Sequence, residues 1–74
     1  MTAMHQITIK KTPIKLGQFL KMADLVQDGF EAKIRIQEGE VTVNGETETR
    51  RGRQLEAGDI VAYGGQEFLI CEEP

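Results

Sequence analysis

A chain of 74 residues has room for one hydrophobic core, so a single domain over residues 1–74 is expected, with no deep enclosed reaction pocket. Only 39% of the residues are apolar, with one Tyr, three Phe and no Trp, so the core is modest and mostly aliphatic. A net charge of −3 speaks against a nucleic-acid ligand as a total, though not as a distribution.

Met4 to Ile9 alternates loosely and reads as a strand, ending in Lys10-Lys11-Thr12-Pro13. Pro13 biases Thr12 away from helix, so a new element starts beyond it. Leu16, Phe19, Leu20 and Ala23 fall at i, i+3, i+4 and i+7, the stripe of a short amphipathic helix. Lys15, Gln18, Lys21 and Met22 lie on its other side. Gly17 weakens this helix by about 1 kcal/mol relative to Ala, so packing must hold it. Asp28-Gly29-Phe30-Glu31 reads as a capping box opening a second helix over about 29–38, with Gly39 as its left-handed stop. Phe30/Ile34 and Ala32/Ile36 form two apolar pairs there, which predicts a helix packed on two neighbours. Glu40 to Val43 alternates, and Asn44-Gly45 predicts a type I′ hairpin returning through Glu46-Thr47-Glu48. Arg50-Arg51-Gly52-Arg53 is a basic loop, followed by Leu55 and a turn at Ala57-Gly58-Asp59. Ile60–Tyr63 and Glu67–Ile70 are strands joined around Gly64-Gly65. The order β-α-α-β-β-β-β predicts an α+β fold, two helices packed on a small, mostly antiparallel sheet.

The cations are segregated along this order. Residues 1–21 hold four lysines and no acid, residues 50–53 hold three arginines, and residues 54–74 hold five acids and no base. Folding could therefore gather positive charge onto one face. Cys71 is the only cysteine and His5 the only histidine, which leaves no internal disulfide, no zinc ligand pattern and no nucleophile–base pair. No metal or cofactor is expected, and no enzyme activity. The opening residues lack the basic start and apolar stretch of a signal peptide, and no apolar run is long enough to span a bilayer. A cytoplasmic protein is the expectation.

Ile14-Lys15-Leu16-Gly17-Gln18-Phe19-Leu20-Lys21, Glu31-Ala32-Lys33, Glu38-Gly39-Glu40-Val41-Thr42-Val43-Asn44-Gly45 and the closing Leu55-x-x-Gly58-Asp59-Ile60-Val61 resemble an S4 domain. This is the αL RNA-binding motif found in ribosomal protein S4, pseudouridine synthases and tyrosyl-tRNA synthetases. The resemblance covers about residues 14–62 and is closest to small stand-alone bacterial S4-like proteins. It implies an αL fold that binds structured RNA, of the ribosomal or transfer class, through its two helices and the loop beside the hairpin. Carried over position by position, it marks Lys15, Lys33, Gln37, Arg50, Arg51 and Arg53. Two departures stand out. Arg35 occupies a position that is apolar in typical members, where it would add a phosphate contact. Gln27-Asp28-Gly29-Phe30 replaces a stretch that is Ser/Arg-rich in many relatives, which removes positive charge.

Lys and Arg side chains bind RNA by neutralising phosphates, and the planar guanidinium can hold two phosphate oxygens at once. Against that stands the bland reading, in which the arginine loop balances Glu46, Glu48 and Glu56, and Lys33 pairs within its helix. Lys21 reads more readily as an ordinary outer-face lysine. Phe19, Phe30 and Phe68 read as core, which leaves little for base stacking and predicts recognition by shape and backbone. The expected partner is RNA, with a ribosome-associated protein as a second candidate, and the expected state is a monomer. The rival is a protein–protein adaptor that keeps the S4 shape without RNA binding. Cations gathered on one face favour RNA; cations scattered and paired with acids favour the adaptor.

Overall fold

The computed structural model describes residues 3–74. Met1 and Thr2, the first residues of the opening read above as lacking a signal peptide, lie outside the described residues. Strand β1 (Ala3–Ile9) is followed by a two-residue strand β2 (Ile14–Lys15), then helices α1 (Leu16–Met22) and α2 (Gly29–Gln37). Five strands complete the chain: β3 (Thr42–Val43), β4 (Glu46–Thr47), β5 (Gln54–Leu55), β6 (Ile60–Tyr63) and β7 (Gln66–Glu72). This is the expected α+β arrangement with two additions. The main sheet has the order β1-β7-β6-β3-β4, antiparallel except that β1 runs parallel to β7. The unexpected strands β2 and β5 pair with each other, Ile14 opposite Leu55 and Lys15 opposite Gln54.

Local chemistry accounts for most of the elements. Of the expected α1 stripe, Leu16, Phe19 and Leu20 are fully buried and Ala23, just past the helix end, is half-buried against the core, while Lys15, Gln18, Lys21 and Met22 face outward. Asp28 caps α2, its carboxylate accepting from the Glu31 N–H at 2.8 Å. The Glu31 carboxylate reaches one residue past the cap and accepts from the Gln27 N–H at 2.6 Å. Gly39 closes the helix at φ +77°, a left-handed conformation that L side chains rarely adopt. Asn44 and Gly45, at φ 53° and 85°, make the I′-type turn between β3 and β4. The Asn44 side chain then ties the turn to β6, the sheet neighbour of β3, accepting from the Ile60 N–H at 2.9 Å.

Two-sided packing of α2 is overturned. Ala32 and Ile36 enter the core with Phe19, Leu55, Val61 and Phe68, but Phe30 is 71% exposed and Ile34 39% exposed. The capping box fixes the rotation of α2, and Phe30 stands about 200° around the helix from Ala32. The chain supplies one layer for α2 to cover, and Phe30 points away from it. Leaving this ring in water forgoes roughly 1.5–3 kcal/mol of burial.

Candidate nucleic-acid interface

The basic loop is held against the first turn of α1 by main-chain bonds. Lys15 caps α1 without a side-chain hydrogen bond, so the first amides of the helix need other acceptors. The loop supplies them. Leu16 N–H donates to the Arg53 carbonyl at 2.8 Å, and Gly17 N–H donates to the Arg51 carbonyl at 3.0 Å. The β2–β5 pair continues this seam. Gly17 sits so close to the loop that an added Cβ would lie 3.5 Å from both Arg51 Cβ and the Arg51 carbonyl oxygen. Packing thus holds a glycine that costs the helix stability, as the sequence demands.

That seam creates a groove of about 320 Å³ whose polar lining comes from Lys15, Gln18, Lys21 and Arg51, with Gly29 and Ala32 opposite. Lys15, Lys21 and Arg51 are exposed, and none of them forms an ion pair among the described residues. Three cations with no carboxylate partner, arranged around one concavity, make a place for an anion with several oxygens.

The other two loop arginines are organised differently. Glu48 is 7% exposed, the only buried charged side chain among the described residues. Arg50 donates to it from Nε at 3.0 Å and Nη2 at 3.1 Å, and Arg53 donates from Nη1 at 2.9 Å. The Arg50 main-chain N–H adds a further bond at 3.0 Å. The Arg50 guanidinium, above all, holds the Glu48 carboxyl down from 4.5 to about 2 against the opposing effect of burial. The bland reading of the loop therefore describes Arg50 and Arg53, although one carboxylate against two guanidiniums leaves the cluster positive. The Arg50 side chain remains 72% exposed.

On α2, Lys33 is half-buried and Gln37 exposed, and Lys33 has no ion-pair partner among the described residues. Arg35 does not join the groove. It lies 3.3 Å from Glu40 and 3.6 Å from Glu31, and the Glu40 carboxylate, above all, raises its pKa still further. Structure thus brings together Lys15 and Arg51, sets Arg50 and Arg53 beside them on Glu48, and separates Arg35. Lys21, read from the sequence as an ordinary outer-face lysine, and Gln18, not singled out there as a site residue, also line the groove. Both sit on the polar side of α1, and only the docked loop turns that side into a groove wall.

A family model described as S4 domain matches residues 7–71. The chain belongs to the S4 domain family. It is 51% identical over 61 residues to the "Probable ribosome maturation protein RlbA" of Bacillus subtilis strain 168, covering 82% of this chain and 86% of that protein. It is also 37% identical over 60 residues to the tyrosine–tRNA ligase of Burkholderia lata, where it spans only 14% of the ligase. The solution structure of YbcJ from E. coli, described as revealing an αL motif involved in RNA binding, superposes with a TM-score of 0.69 at 33% identity. That match covers 96% of this chain and 91% of YbcJ. The two helices and mostly antiparallel sheet are those of the αL motif.

Proposed function

We propose that this S4 domain protein binds structured RNA of the ribosomal or transfer class by its phosphate backbone and catalyses no reaction. One observation carries this reading: the loop carbonyls that cap α1 bring Arg51 onto the same groove as Lys15 and Lys21, with no carboxylate among them. Lys33 and Gln37 extend the surface along α2, and Arg50 and Arg53 flank it from Glu48. The protein acts as a cytoplasmic monomer of one domain, by binding alone or by bringing RNA to a ribosome-associated partner. The similarity to RlbA and to the YbcJ motif supports this choice of ligand. Pairing of two arginines with Glu48 favours the adaptor, but the unpaired cations of the groove weigh against it.

The test is fluorescence anisotropy with labelled transfer RNA and ribosomal RNA hairpins across a salt series. About three to five neutralised phosphates give a log–log slope of about −0.7 to −0.9 each, or a loss of roughly 20- to 500-fold between about 50 and 200 mM salt. An affinity indifferent to salt contradicts the proposal.

A further inference from the structure

Helix α2 exposes an apolar strip that nothing in the fold covers and that a phosphate surface does not use. Phe30 is 71% exposed and Ile34 39% exposed. At about 100° per residue, Phe30, Lys33, Ile34 and Gln37 fall on one side of the helix. Phe30 directly follows Gly29, which lines the groove, so its Cα is one residue step, about 3.8 Å, from that of a groove residue. Gly29 carries no side chain, and even an added Cβ there would meet nothing within 4 Å. The strip is two side chains wide and is bounded by Lys33 and Gln37. A surface built to dock another protein would carry a larger continuous apolar area. An aromatic face beside unpaired cations is instead what a nucleotide needs, since every base has a π-face and every phosphate a negative charge.

We propose that Phe30 is a stacking platform for one unpaired RNA base, whose flanking phosphates are held by Lys15, Lys21 and Arg51 in the groove. Ile34 widens the apolar bed, Lys33 meets a neighbouring phosphate, and the Gln37 amide faces the edge of the base. This rests on the RNA-binding reading and narrows it. The substrate class becomes helical RNA with a bulged or terminal unpaired nucleotide, in place of continuous duplex.

The experiment uses two RNA hairpins that differ only by one bulged adenosine, titrated by anisotropy against wild type, Phe30→Ala and Phe30→Trp. Because Phe30 is exposed, all three should share one melting profile. Wild type should prefer the bulged hairpin, and Phe30→Ala should lose roughly 5- to 150-fold in affinity for it while holding the plain hairpin unchanged. Phe30→Trp should restore the preference. Equal binding of both hairpins by wild type, or a preference that survives in Phe30→Ala, overturns the platform and leaves the phosphate surface standing. That is also the result expected if a protein covers the strip. Failure of wild type to bind either hairpin removes the RNA-binding reading and the platform with it.

Discussion

Arg35, half-buried on α2, and Arg51, exposed in the basic loop, carry the same charge, yet one is neutralised and the other free. Arg35 has Glu31 one turn before it and Glu40 just past the end of α2, and it contacts both. Arg51 has a single nearby acid in its loop, Glu48, and that carboxylate is occupied by Arg50 and Arg53. A saturated buried acid therefore does for Arg51 what no arrangement of basic residues alone could do: it keeps the guanidinium available. In an acidic protein, the surface that can meet phosphate is set by which carboxylates are already engaged.

Reversing the charge at the free position breaks this contrast most severely. Arg51→Glu should weaken RNA binding by about 100-fold, the loss of a charged contact plus repulsion, read by anisotropy at low salt. Removing the saturating acid comes next. Glu48→Gln should lower stability by about 1–2 kcal/mol in urea titrations, as charged hydrogen bonds to two guanidiniums weaken. The Glu48 carboxyl titrates at about 2 when folded and near 4.5 otherwise. Between these values the unfolded chain binds the proton more readily. Its stabilisation is therefore complete above about pH 4.5 and is lost as pH falls toward about 2. Melting curves of Glu48→Gln should lack that acid-dependent loss. Gly17→Ala sharpens the account of the seam: an added methyl would make ordinary contact with Arg51, so the variant should gain up to about 1 kcal/mol from helix propensity. Arg35→Ala should change RNA affinity by less than about twofold, because its charge is already balanced.

What could be read from the residues was local. The α1 stripe, the Asp28 cap, the Gly39 stop and the Asn44-Gly45 turn each declare themselves within a few positions. Parallel pairing of Ala3–Ile9 with Gln66–Glu72 joins the two ends of the described chain and has no local signature. Strands β2 and β5 are two residues each, too short to show a period, and their pairing places the basic loop on α1. Lys21 and Gln18 became groove residues through that same distant contact. Phe30 was misread because the helical wheel of α2 offered two apolar faces, and only the position of the rest of the fold decides which one turns inward. The burial of Glu48 was hidden between exposed Thr47 and Thr49, in a segment as polar as any surface loop.

The central claim is that unpaired groove cations, and not basic residues in general, hold the RNA. The most direct measurement is the salt dependence of RNA affinity for wild type, a Lys15/Lys21/Arg51→Ala triple variant and Arg35→Ala, each confirmed as folded by circular dichroism. The account predicts a log–log slope shallower by about 2–3 in the triple variant, as about three phosphate contacts vanish, and a wild-type slope for Arg35→Ala. A triple variant that keeps the wild-type slope, or an Arg35 variant that loses as much, would contradict it.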